Sequence, residues 1–265
     1  MKNANSSRTH SVDNLNLKVF EAIVLGSPKL KEMKLVCIQN SPELEYNLFG
    51  LDKLSCLENL SRLNLNLEGE RLKPEHILSL FQNKNLENLL ELHLDISKCN
   101  IEVVKAISLS CPNLEELFLG HTYEILKLKD FPKFQNLKTL YFSTEDTYWS
   151  AKRQNVINTT DDYISLFANK KLENLKRLTC SSCAREINDE VMLAMAVGCP
   201  KLEYLDMYIS ATSVTDRGIM YLIRHCTNLR ELDIHLHSGS KLRFITEQCE
   251  AEIKKYSPRL CITSD

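Results

Sequence analysis

Three pairs of side chains have the types and spacing that chemistry asks for. Cys180-x-x-Cys183 brings two thiols close, as in a redox pair or half a zinc site. A closed zinc site takes four ligands, and no second C-x-x-C accompanies this one. His235-x-His237 would send two imidazoles to one side of a strand, with no third ligand evident. Asp189 and Asp216 each lie 14 residues after a leucine of the same kind, Leu175 and Leu202. Residues at one repeated place read as helix caps, not as a paired acid and base. There is no G-x-S-x-G, no phosphate-binding loop, and only seven glycines in all. The expectation is a chain that is not an enzyme and that takes no cofactor and no metal.

The same residues are better explained by recurrence. From Cys199 the chain reads C-P-K-L-E-Y-L-D-M, and from Cys226 it reads C-T-N-L-R-E-L-D-I. Leu202, Leu205 and Met207 return as Leu229, Leu232 and Ile234, 27 residues later. The frame extends along the chain. Its first apolar place falls at Leu30, Leu60, Leu89, Leu114, Leu137, Leu175, Leu202 and Leu229. Its second falls at Met33, Leu63, Leu92, Leu117, Leu140, Leu178, Leu205 and Leu232. Its third falls at Leu35, Leu65, Leu94, Leu119, Phe142, Cys180, Met207 and Ile234. A degenerate further copy starts at Leu260. A fixed period of this size with an L-x-x-L-x-L core is the mark of a leucine-rich repeat. Cys180 is then a core residue of its copy.

Each copy has two halves. The L-x-x-L-x-L half alternates apolar and polar, the period of a strand. Helical spacing runs through 13–25, 74–81, 101–109, 161–167, 189–197 and 216–224. Between Leu35 and Leu60 the frame blurs and no element is assigned. One strand and one helix cannot bury their own apolar faces, so copies must stack. The predicted fold is α/β: a leucine-rich-repeat solenoid, ribonuclease-inhibitor-like. Parallel strands line the concave side of an arc or horseshoe and helices its convex side. Met1–Ser11 reads as a polar tail, and 12–265 as one domain of eight to nine repeats.

Composition bounds the partners. The chain carries 33 Lys and Arg against 35 Asp and Glu, which disfavours a nucleic-acid footprint. No apolar run is long enough for a membrane span, and the N-terminus lacks a signal-peptide core. A cytoplasmic or nuclear protein is expected, with its thiols reduced. Cys111, Cys199 and Cys226 all stand three residues before a first leucine, where other copies have Leu57, Leu86, Phe134 and Leu172. Exchange of Cys with Leu at one place points to a buried apolar thiol. The Asn5, Asn59 and Asn158 glycosylation patterns are then accidents of a polar sequence.

The polar places of the strands remain free to face a partner. They bring Phe118, Tyr141, Tyr204 and Tyr208 outward, among Arg177, Asp206, Asp233 and His235. Aromatic anchors among charges suit a protein interface. One interval, Leu137 to Leu175, is 38 residues long, and its excess lies in 143–160, which holds Trp149, the only tryptophan. Long insertions in solenoids often sit on the binding face, so Trp149 joins the candidate set.

The cysteine placement narrows the class. C-P-N-L-E-E-L-F-L (111–119), C-P-K-L-E-Y-L-D-M (199–207) and C-T-N-L-R-E-L-D-I (226–234) are similar to cysteine-containing leucine-rich repeats. So are I-N-D (187–189) and V-T-D (214–216), whose aspartates stand ten residues before a cysteine. The chain resembles the repeat domain of F-box/leucine-rich-repeat proteins. The resemblance implies that the concave face binds a substrate protein. It also implies that an F-box docks the adaptor and cullin of an SCF-type cullin–RING ubiquitin ligase. No L-P-x-E opening of an F-box precedes Leu30. The alternative is a scaffold or inhibitor of the same fold, without an F-box, that grips one protein partner and has no ligase role.

Burying a leucine fully is worth about 1.5–3 kcal/mol. Leu205→Ala is expected to cost about 2–5 kcal/mol through the cavity it leaves. Chemical denaturation measures this, and an unchanged midpoint would contradict an inward Leu205.

Overall fold

A computed structural model describes residues 7–11, 17–37, 50–67, 74–82, 86–96, 99–122, 126–144, 158–181, 186–209, 213–236, 245–256 and 261–264. The chain divides into two compact units, 1–124 and 125–265. Each is a leucine-rich-repeat stack of parallel strands with helices packed behind them.

In the first unit, strands β1 (Ser7–Ser11), β2 (Glu32–Cys37), β3 (Arg62–Leu67), β4 (Glu91–Ile96) and β5 (Glu116–Thr122) pair in chain order. Behind them run α1 (Leu17–Gly26), a 3-10 turn (Leu51–Cys56), α2 (Pro74–Phe81) and α3 (Ile101–Ser110). The second unit has a 3-10 turn (Leu128–Asp130), β6 (Thr139–Thr144), α4 (Thr160–Phe167), β7 (Arg177–Ser181) and α5 (Asp189–Gly198). It continues through β8 (Tyr204–Ile209), α6 (Asp216–His225), β9 (Glu231–Leu236), α7 (Glu247–Tyr256) and β10 (Cys261–Ser264). Its strands also pair in parallel and in order.

Register makes the core. Met33, Leu63, Leu92 and Leu117 stand side by side, as do Leu140, Leu178, Leu205 and Leu232. Every first, second and third residue of the eight copies is buried. A slip by one residue would turn each row outward, so burial holds the register. Cys111, Cys199 and Cys226 are buried like Leu57, Leu86, Phe134 and Leu172, as their shared place requires. Burial pushes the Cys111 and Cys226 thiols up to about 12, so they are inert apolar filler.

An asparagine ladder completes the strand entries. Asn88, Asn113 and Asn174 each precede a first leucine, and each donates its amide to a carbonyl of the preceding copy. The acceptors are Glu58 O at 2.8 Å, Glu87 O at 2.9 Å and Gln135 O at 2.6 Å. These bonds satisfy turn carbonyls that no strand reaches.

Helix starts carry their own caps. The Asn100 and Asn188 side chains accept from the backbone of α3 and α5, and Thr215 from that of α6. Thr159 and Asp162 form a reciprocal capping box on α4. The cap reading of Asp189 and Asp216 is therefore corrected. Both are first helical residues, and their carboxylates turn sideways to the next copy. Asp189 accepts the Thr215 backbone N–H at 2.8 Å and its hydroxyl at 2.6 Å. Asp216 does the same with Thr246. Gly218 makes room for this staple, because a Cβ there would overlap the Asp189 carboxylate.

Several expectations change. Ser7–Ser11, read as tail, forms β1 against β2, since an edge strand bonds through its backbone and needs no apolar pattern. The two compact units divide the stretch that the period reads as a single repeat domain, 12–265. Copies in a stack pack only on their neighbours, so periodicity carries no sign of a boundary. The boundary falls in the shortest interval, Leu114 to Leu137, where the 3-10 turn replaces a helix. In the last strand, pairing puts Ile262, not Thr263, beside Leu232. Helix α7 has no counterpart in the predicted set. Its mean hydropathy is low and its buried residues, Cys249 and Ile253, are few. No described helix is long and apolar enough to cross a membrane.

Helices α4 and α5 touch through backbone at Gly198, where a Cβ would overlap the Phe167 carbonyl oxygen. At the equivalent place of α3, the Ser110 hydroxyl donates to Phe81 O instead. Gly198→Ala is expected to lower stability by about 1–3 kcal/mol through overpacking. Thermal melting tests it, and a neutral result would mean that the helices separate freely there.

Candidate functional site

The outward places of β7, β8 and β9 form the densest polar assembly described in the second unit. Alternation puts them there: Leu178, Leu205 and Leu232 point inward, so Arg177, Tyr204, Asp206, Tyr208, Asp233 and His235 point outward. Register then decides who meets whom. Arg177 stands beside Tyr204, Asp206 beside Asp233, and Tyr208 beside His235.

The side chains follow that register. The Arg177 guanidinium lies over the Tyr204 ring, 4.4 Å from its centroid. Tyr204 donates its hydroxyl to Asp233 Oδ2 at 3.1 Å. His235 Nε2 is 3.3 Å from Asp206 Oδ1, and its ring stacks on Tyr208 with centroids 4.7 Å apart. Tyr208 is 38% exposed, while Tyr204, Asp206, Asp233 and His235 are half-buried by one another. Tyr141 of β6 is also half-buried, its hydroxyl 3.4 Å from Ser181 Oγ.

The electrostatics follow from crowding. Burial, followed by the charge of Asp206 and the bond to Asp233, pushes the Tyr204 hydroxyl up to about 12. Burial raises the Asp206 carboxyl, and the neighbouring Asp233 adds to this against the pull of His235. Two carboxylates side by side repel, while His235 beside Asp206 and the Tyr204 hydroxyl on Asp233 offset part of that repulsion.

Phe118 belongs to the first unit, on β5. It stacks on His93, with centroids 5.2 Å apart and planes 12° from parallel. Beside it, Arg62 bridges Glu91 at 2.8 Å and Glu32 at 3.0 Å, one strand to either side. Asn66 donates to Asp95 Oδ2 at 3.0 Å. Glu91, His93 and Glu116 bring donor atoms within 4.8 Å of one another, a set that suits a divalent cation in kind. The Arg62 guanidinium already supplies positive charge to Glu91. Sequence reasoning passed over this group, although Glu91-x-His93 alternation and Glu116 in register with Glu91 were its signal.

Trp149, His237 and Cys183 lie outside the described residues, as does most of the 143–160 insertion. Cys180 is disulfide-bonded, against the expectation of reduced thiols. That expectation rested on the missing secretory signal and on cysteines that exchange with leucine three residues before a first leucine, and Cys180 stands at a different place in its copy. Asn158 is buried, and its side-chain oxygen accepts Leu128 N–H at 3.2 Å, so it is no glycan acceptor in this fold.

No known family model matches the chain, and no curated protein matches it. Among solved structures it is similar to a chain of the crystal structure of the Rad7 and Elc1 complex in yeast. That match has 19% identity and a TM-score of 0.43, and covers 94% of this chain and 71% of the other.

Asp206 gives a pH test. A carboxyl raised on folding binds its proton more tightly in the folded state, so its contribution is present at low pH and lost as pH rises through its folded value. The stability of the wild type relative to Asp206→Asn is expected to grow as pH falls from neutral toward the ordinary aspartate range, about 4. Thermal melts of both proteins across that range measure it; a difference that shrinks contradicts burial as the cause.

Proposed function

We propose that the chain is a protein-recognition module of the F-box/leucine-rich-repeat type. Its task in this reading is to hold a substrate protein for an SCF-type cullin–RING ubiquitin ligase, in the cytoplasm or nucleus. The cysteine-containing repeats at 111–119, 199–207 and 226–234 support the family assignment. The observation that carries recognition is the outward face of β7–β9. There Tyr204, Tyr208, Arg177, Asp206, Asp233 and His235 hold one another in fixed poses on a rigid sheet. Preorganised aromatic and charged side chains lose little entropy when a partner docks. Buried rows make the scaffold, and nothing in them is spent on chemistry.

Affinity purification with crosslinking is the test. Recovery of an adaptor and a cullin with a substrate supports the ligase reading. A stable partner without them makes the chain a scaffold of the same fold. Tyr208→Ala is expected to leave stability within about 0.5 kcal/mol, as an exposed substitution. It is expected to reduce partner capture severalfold; capture unchanged by this variant and by Tyr204→Ala would place recognition on another face.

A further inference from the structure

We infer that the turns leading into β6 and β7 form a basic docking surface for an acidic segment of a partner protein. Two stretches make it. In 126–138 four lysines stand against one acid, Asp130, and in 168–177 three lysines and Arg177 stand against one acid, Glu173. The fold lays these stretches against each other. Phe134 N–H donates to Lys171 O at 3.1 Å, and the Lys171 ammonium donates to Lys129 O at 3.1 Å. Asn174 donates to Gln135 O, and Lys133 bridges Glu173 at 3.3 Å. Lys176 pairs with Glu203 at 2.8 Å, and Arg177 lies over the Tyr204 ring. The open charge is that of Lys127, Lys129 and Lys170, which are exposed and make no ion pair among the described residues.

The repeat itself does not ask for these lysines. Before β5 the equivalent stretch, 107–116, carries Glu115 and Glu116 and no lysine or arginine, and before β8 Lys201 is matched by Glu203. All these turns serve the same stacking, so stacking does not explain the charge at β6 and β7. Backbone geometry makes the point at one residue. Asn169 and Lys170 have φ of 58° and 54°, in the left-handed region. Asparagine visits that region readily, while lysine does so at a cost that glycine would avoid. What lysine supplies at 170 is an exposed ammonium group. The chemistry selects a protein over a nucleic acid. Phe131 and Phe134, the aromatics of these turns, are buried and offer no ring to a nucleotide base. Seven of the eight basic side chains are lysines, point charges without the fork that grips a phosphate in two places. Asp130 and Glu173 repel a continuous phosphate chain, whereas a protein segment can space its carboxylates around them.

Fluorescence polarisation of a labelled oligoglutamate peptide, titrated with the intact chain, is the test. The peptide is expected to bind at low salt and to lose affinity as sodium chloride is raised. Lys129→Ser with Lys170→Gly is expected to weaken it about three- to tenfold. Lys170→Gly alone is expected to weaken it less, with a melting midpoint equal to or above that of the wild type, since glycine relieves the left-handed backbone. Tyr208→Ala is expected to leave peptide binding unchanged. Loss of binding in that variant would move the peptide to the β7–β9 face, overturning this inference and leaving the recognition reading standing. No binding at low salt, binding indifferent to Lys129 and Lys170, or tighter binding of a single-stranded DNA of the same length also overturns it.

Discussion

Everything in this chain depends on side-by-side burial of equivalent apolar residues from successive copies. A strand such as Tyr204–Ile209 has one apolar row, and its helix has one apolar stripe. Neither can be covered from within a single copy. Leu205 is buried because Leu178 and Leu232 stand on either side of it. The register that joins them is set by that need, since a slip would expose the whole row.

Polar bonds then make the stacking exact at its edges. The Asn88, Asn113 and Asn174 amides tie each strand entry to the turn before it. On the helix side, Asp189 and Asp216 bind the cap threonine of the following copy. Each of these bonds joins one copy to the next and has no counterpart within a single copy. Stacking thus satisfies polar atoms and apolar area at once, which is why copies with poor leucine patterns still find their place. Strand β1 and strand β10 show this, for both pair in register with little apolar pattern of their own.

The outward face inherits its geometry from the core. Because the inward rows are fixed, the alternate residues are fixed too, and they meet their counterparts whether or not the meeting is favourable. Arg62 between Glu32 and Glu91 is a favourable meeting. Asp206 beside Asp233 is not. Burial raises Asp206 further from its ordinary value. Residues that cost the fold stability while facing outward are where recognition is most economically sought.

The sequence by itself determined the repeat, the strand and helix halves, and which residues of each strand look inward. These are properties of spacing, and spacing is local. It also determined that Cys111, Cys199 and Cys226 are core thiols, because they exchange with leucine at one place. It did not determine that Asp189 would reach Thr215, that Tyr204 would bond Asp233, or that Phe118 would stack on His93. Those depend on neighbours that are 25 to 29 residues away in sequence and adjacent only across the sheet or between helices. Nor did it show β1 or α7, whose apolar signal is too thin to read without the copy each one packs against. Period reveals which way a side chain points; only the stacked structure decides what it meets there.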